Sequence, residues 1–335
     1  MNHRTKQEKG KRNFLIKAIF AIATAVVCVM SAMAQPAWPD RTIKVIVPYT
    51  PGGGTDAVTR HLLDKVTAET KWSMIVDNKP GGNGNVGLDI VAKSKPDGYT
   101  LGMGQTANLA INPALMSKMP FDPAKDLIPV ALVAELPTLL VVRQDSPFKN
   151  LGDVIKAAKA KPGSLRQALA GSGTVGHLAG EMLAVKAGFT ALNVPYKGAA
   201  PALTDLLGEQ TDYMFATPQA VLGMIKGGKM RALAVTSTRR LSILPNVPTV
   251  SESGYKNFEA VDWKMLVAPA GTPIAVIRQI NQAVEKALAT PSLQAQLDAE
   301  GSAALGGSTQ KAAEYLRSEQ VEWATLIKEA NIKLD

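Results

Sequence analysis

Short apolar runs and amphipathic stretches alternate along most of the chain, with glycine-rich segments at the joins. Residues 43–47 read as a strand and residues 48–56 as a glycine-rich turn. Residues 57–69 then place Val58, Leu62, Leu63 and Val66 on one face of a helix. The pattern recurs with a strand at 74–76, a glycine-rich loop at 80–87, a helix at 86–93 and a strand at 100–103. A second set follows: strands at 139–142 and 166–170, a loop at 171–176 and a helix beginning near His177. It continues with a strand at 192–196, a helix to Leu207 and a strand at 232–236. Beyond the proline-rich 244–249, a strand at 266–268 leads into helices over 273–289 and 308–329. Strand, glycine loop and helix in repetition predict an α/β chain with parallel sheets covered by helices.

The N-terminus departs from this pattern. Arg4, Lys6, Lys9, Lys11, Arg12 and Lys17 precede an apolar run over 18–30 and then Ala32-Met33-Ala34, the order of an export signal cleaved after Ala34. The apolar run falls short of the roughly 20 residues a membrane span needs. Cys28, the single cysteine, lies inside that run without the small residue before it that lipid attachment needs. The mature chain therefore has no thiol, which removes disulfides, thiolate metal sites and cysteine nucleophiles. Removing residues 1–34 takes away six Lys/Arg and one Glu, so the formal net charge of +9 falls to +4 and gives no sign of nucleic-acid binding.

Three loops combine glycines with a following helix: Gly52-Gly53-Gly54-Thr55-Asp56, Gly81-Gly82-Asn83-Gly84-Asn85-Val86-Gly87 and Gly171-Ser172-Gly173-Thr174-Val175-Gly176. Glycine lets backbone approach a ligand, and N–H groups at a helix start attract a carboxylate or phosphate. Tight turns that merely connect strand to helix are the alternative reading of each loop. Two loops match G-x-G-x-x-G, but neither has the acidic residue about 20 positions on that a ribose contact requires, and no phosphate-loop lysine motif occurs. Polar residues beside the loops, namely Thr55, Asn83, Asn85, Gln105, Thr106, Asn108, Ser172, Thr174 and Tyr196, offer neutral donors and acceptors at strand ends.

Catalytic chemistry is poorly supplied. His177 and Glu181 share a helix face, yet no third metal ligand is visible. Ser172 lacks the flanking glycines of a nucleophile elbow. Asp56 at a helix start reads as capping as readily as a base. The inventory holds no nucleophile, base and orienter together, and implies neither a metal nor a cofactor.

The chain resembles the substrate-binding proteins of tripartite tricarboxylate transporters, the Bug or TctC type. The resemblance rests on Trp38-Pro39, on Val47-Pro48-Tyr49-Thr50-Pro51-Gly52-Gly53-Gly54-Thr55-Asp56 and on Asn78-Lys79-Pro80-Gly81-Gly82. Pro96-Asp97-Gly98-Tyr99-Thr100-Leu101, Pro195-Tyr196-Lys197-Gly198 and Ala268-Pro269-Ala270-Gly271-Thr272-Pro273 continue it in order. The resemblance implies a type II periplasmic-binding fold of two α/β domains, 35–140 with 262–335 and 141–261, joined by crossover strands near 140 and 262, with a ligand cleft between them. It implies binding of a small carboxylate, a di- or tricarboxylate, an acidic amino acid or an aromatic acid, by Tyr49, Pro51, Gly52, Gly53, Gly54, Thr55, Asp56, Gly82, Asn83, Gly84, Asn85, Gly87, Gln105, Thr106, Asn108, Ser172, Gly173, Thr174, His177, Tyr196 and Thr217. It also implies a monomer in the periplasm that hands its ligand to membrane permease subunits. Met265 stands where relatives commonly have glycine, and the absence of a placeable carboxylate in the second domain favours an acid without an amino group. An exported enzyme acting on a small acid, and a carboxylate sensor, remain the rival readings of the residues.

Overall fold

The computed structural model describes residues 38–196, 198–329 and Ile332. The expected export signal, Cys28 within it, and Lys197 lie outside the described residues. Contacts divide the chain into Met1–Arg41, of which residues 38–41 are described, and Thr42–Asp335, which carries the elements below.

The first sheet begins with β1 (Ile43–Val47), whose Ile43, Val45, Ile46 and Val47 are buried. Helix α1 (Gly54–Thr70) returns the chain with Val58, Leu62, Leu63 and Val66 buried, the face expected from their spacing. Strands β2 (Met74–Asn78) and β3 (Thr100–Gln105) flank β1 in parallel, with α2 (Asn85–Ala92) between them in the chain. The chain then runs through β4 (Leu127–Pro137) and crosses at Thr138 into β5 (Leu139–Arg143) of a second sheet. That sheet is completed by α3 (Leu151–Ala160), β6 (Arg166–Leu169), α4 (Val175–Ala187), β7 (Leu192–Pro195), α5 (Ala199–Leu207), β8 (Tyr213–Ala216), α6 (Pro218–Lys226) and β9 (Met230–Val235). Strand β10 (Val261–Pro269) brings the chain back to the first sheet. Then follow α7 (Ile274–Leu288), α8 (Pro291–Ala299), β11 (Ala303–Ala304) and α9 (Thr309–Glu329).

The strand orders are β11-β4-β10-β3-β1-β2 and β7-β6-β8-β5-β9. Neither sheet is wholly parallel, which corrects the sequence expectation: β10 runs antiparallel to β3 and β4, and β5 runs antiparallel to β8 and β9. The reversal follows from the crossings, because a strand entering a sheet from its neighbour arrives at the opposite end from strands fed by βα units. Hydrogen bonds hold the two crossings together. Thr138 N donates to Thr236 Oγ1 at 2.8 Å, and the Thr236 hydroxyl donates to Ala260 O at 2.6 Å.

Several glycines are set by this packing and not by ligand approach. A Cβ at Gly176 would lie 2.4 Å from Phe215 O, so α4 can meet the end of β8 only without a side chain there. At Gly87 an added Cβ would stand 2.7 Å from Pro48 Cβ and 2.9 Å from the backbone oxygen of Lys79. Backbone cannot move aside cheaply, so Gly87→Ala is expected to destabilise the protein by about 1–3 kcal/mol. A urea melt reads this directly; an unchanged midpoint would mean that α2 shifts freely on β1.

Candidate functional site

A cleft of about 160 Å³ opens where the two sheets meet, lined by residues at the ends of β1, β3, β6, β8 and β10. Tyr49, Thr50, Gly53, Gly54 and Thr55 come from the loop after β1 and the start of α1, and Gln105 from the end of β3. From the second sheet come Thr174, Val175 and Gly176 at the start of α4, Gly198 and Ala199 at the start of α5, and Ala216 and Thr217 before α6. Thus the N-termini of four helices, of 17, 13, 9 and 9 residues, converge on one small space. First-turn N–H groups have no intrahelical acceptor, and each helix start carries about half a positive charge.

Among the described residues that line the cleft, Asp262 is the only ionisable acid or base apart from the phenol of Tyr49. It sits on β10 two residues before Lys264, so both side chains take the same face of the strand. Lys264 pairs in register with Gln105 on β3. Its ammonium, only 1% exposed, donates to Asp262 Oδ2 at 2.5 Å and to Gln105 Oε1 at 2.8 Å. The Thr55 hydroxyl donates to the same Gln105 oxygen. Burial pulls Lys264 below the ordinary lysine value, with the Asp262 charge opposing. The Tyr49 hydroxyl donates to Asn83 O at 3.0 Å and accepts from Asn108 Nδ2 at 3.1 Å. Burial, reinforced by Asp262, raises its pKa well above that of a free tyrosine and keeps it protonated.

Of the sequence-expected contacts, Tyr49, Gly53, Gly54, Thr55, Gln105, Thr174 and Thr217 line the cleft. Pro51, Gly52, Asp56, Gly82, Asn83, Gly84, Asn85, Gly87, Thr106, Asn108, Ser172, Gly173, His177 and Tyr196 do not, and most of their polar groups are engaged within the protein. Asn83 Nδ2 donates to Ser172 O, linking the second glycine loop to the third. Asn85 bonds Asn112 and Met116, and Asn108 Oδ1 accepts from Gln105 N. The Thr106 hydroxyl accepts from Trp263 N at 2.9 Å and so ties β3 to β10. His177 Nδ1 accepts from Gly173 N, and the Tyr196 hydroxyl donates to Asp205 at 2.7 Å. A Cβ at Gly84 would lie 2.5 Å from Asn108 Nδ2, which makes that glycine a packing requirement.

Asp56 braces the first loop from behind. Its carboxylate accepts from Gly52 N at 2.9 Å, Arg60 Nε at 2.9 Å and Asn78 Nδ2 at 2.9 Å. Burial alone would raise its pKa, but bonds from Arg60, Gly52 and Asn78 outweigh burial and hold it below the usual aspartate value. A depressed folded-state pKa contributes stability that is present above the unfolded value of about 4 and is lost as pH falls through the folded one. Asp56→Ala is therefore expected to cost about 1–2 kcal/mol at pH 7, with the gap to the parent closing in melts below about pH 4. An equal gap at both pH values would remove the carboxylate from the loop's support.

The residues that sequence reasoning missed include Thr138, Gly198, Ala216 and above all Asp262. Two charged residues at strand spacing, Asp262 and Lys264, in an otherwise apolar run were the available signal. A larger cavity of about 610 Å³ lies elsewhere, lined by Glu135, Glu259, Glu319, Glu322 and Glu329. Burial, chiefly, raises the pKa of Glu135, Glu259 and Glu319, and Lys186 also lines this cavity. Among the described residues no group of three or more His, Cys, Asp or Glu could hold a metal ion, and His177 Nε2 stands 3.9 Å from Glu181 Oε1.

Two mixed α/β sheets with a cleft at their strand ends and crossover strands between them have the architecture of the type II periplasmic-binding fold. The model of the tripartite tricarboxylate transporter family receptor, TctC, matches residues 58–332, and the chain belongs to that family of periplasmic solute-binding proteins. It is 36% identical over 323 residues to a UPF0065 protein from the tcbD-tcbE intergenic region of Pseudomonas sp. strain P51, covering 96% of this chain and 94% of that one. The solved structure of R. palustris Rpa4515 with adipate superposes with a TM-score of 0.85 at 32% identity, over 88% of this chain and 99% of that one. MatC from Rhodopseudomonas palustris with bound malate gives 0.80 at 30% identity, over 87% and 100%.

Proposed function

We propose that this protein captures a small carboxylate in the cleft between the two sheets and delivers it, chemically unchanged, to the membrane permease subunits of a tripartite transporter. The observation that carries the reading is the convergence of four helix N-termini on a space that, among the described residues, no Lys or Arg lines. Such a site favours an anion through backbone N–H groups and helix dipoles, with the hydroxyls of Thr50 and Thr217 as further donors. The relatives solved with adipate and malate support a carboxylate ligand.

The working unit is the chain exported and cleaved after Ala34, acting as a monomer in the periplasm. Residues 35–140 with 262–335 form one lobe and 141–261 the other. A ligand that touches both lobes only when they are closed shifts the population towards the closed form by its differential affinity, and the permease reads that form.

Ligand that binds only the folded state raises stability by mass action, about 2.7 kcal/mol at a hundredfold excess over Kd. Screened against mono-, di- and tricarboxylates, hydroxy acids and amino acids, the mature chain is expected to melt higher with one class. That acid should be recovered unaltered by NMR. A flat response across every acid, in folded and ligand-free protein, would overturn the reading; conversion of the acid would make the protein an enzyme.

A further inference from the structure

Asp262 is buried, with 8% of its surface exposed, and yet it lines the cleft. One carboxylate oxygen, Oδ2, is taken by Lys264 at 2.5 Å. The other, Oδ1, is shielded from solvent and has no hydrogen-bond partner among the described residues. Lys264 cannot swing to serve it without surrendering Gln105 Oε1, which it holds at 2.8 Å. Gln105 is in turn held by the Thr55 hydroxyl and through its backbone N–H by Asn108. The pair is thus fixed from β3, β10 and the start of α1, with an acceptor of formal negative character left over. Burying such an oxygen without a donor is unfavourable, and a donor arriving with the ligand relieves that cost.

A fully ionised acid without a donor would bring like charge towards Oδ1. The four helix starts attract the ligand's carboxylate, whereas Asp262 favours a different group on the same molecule. We infer that Asp262 is a specificity-determining residue of this cleft, selecting carboxylates that also carry a hydrogen-bond donor, hydroxyl or ammonium, over acids of the same skeleton without one. This assignment rests on the carboxylate-binding reading above and narrows it. It also revises the preference for acids without an amino group, which rested on finding no carboxylate in the second domain; the acid stands on β10 instead.

The test is titration calorimetry with matched acids that differ at a single carbon. Succinate, malate and aspartate form one series; glutarate, 2-hydroxyglutarate and glutamate a second; propionate, lactate and alanine a third. In whichever series binds, a donor-bearing member is expected to bind at least about tenfold tighter than its donor-free parent, the size of one hydrogen bond to a charged group. The relative strength of the hydroxyl and ammonium members tells which donor Asp262 reads. The double variant Asp262→Leu/Lys264→Met exchanges the pair for apolar side chains of similar volume, which buried pairs often tolerate. Whatever its overall affinity, its preference for the donor-bearing acid over the donor-free one should be reduced to within about threefold. Should that variant fail to fold, Asp262→Asn keeps the shape without the charge and should weaken the ammonium ligand about tenfold more than the donor-free acid.

A parent protein that binds the donor-free acid as tightly as its relatives, or a folded double variant that keeps the full preference, overturns the role of Asp262 while leaving carboxylate capture intact. Loss of all binding by every acid in the parent overturns both.

Discussion

Replacing Gly53 with leucine is expected to raise the Kd for the captured acid at least about a hundredfold, equivalent to about 2.7 kcal/mol, while the free protein melts as before. Gly53 has φ −83° and ψ 168°, an extended conformation open to any residue. A Cβ there would meet only Thr50 O, at 3.8 Å. The side chain therefore fits the fold without strain, and it projects where the first loop faces the cleft. Its cost falls on the ligand, which loses both space and access to the start of α1. Calorimetry and a melting curve on the same sample separate the outcomes. Unchanged affinity would place the ligand away from this loop, and a lowered melting temperature would show that the loop is packed from both sides.

The largest stability effect is expected from Lys264→Met, about 3–5 kcal/mol measured by urea denaturation. The substitution leaves Asp262 buried without its counter-ion and Gln105 Oε1 without one of its two donors. Removing one member of a buried pair strands the other, whereas removing both is far milder. The double exchange with Asp262→Leu should therefore recover most of the lost stability. A single variant within about 1 kcal/mol of the parent would mean that Asp262 is solvated through the cleft in solution.

Much of the fold was legible because local patterns carried it. Residues 43–47 coincide with β1, and the buried stripe of α1 follows the 3.6-residue spacing of its apolar positions. Strand β4 escaped notice because Pro129, Glu135 and Pro137 interrupt its apolar run and it is buried without alternation. Helices α6 and α8 were missed too, although each begins at a proline that suits a first helical turn.

Glycines and the helix that follows pointed to the loop after β1, part of which lines the cleft. Of the second glycine loop no residue lines the cleft, and Gly84 and Gly87 answer to neighbouring atoms of Asn108, Pro48 and Lys79. A glycine needed for close packing and one needed for ligand approach look alike in a sequence, since both report only that a side chain would intrude.

The amino-acid order by itself determined many of the strands and helices, the glycine-rich turns between them, and the family that those motifs identify. Tertiary structure alone decided which helix starts converge, that Asn83 reaches Ser172, and that Lys264 meets Gln105 across 159 positions to fix Asp262 at the cleft. Periodicity and turn chemistry act over a few residues. The contact of Lys264 with Gln105 depends instead on how two strands align, which only the packing of the whole sheet sets.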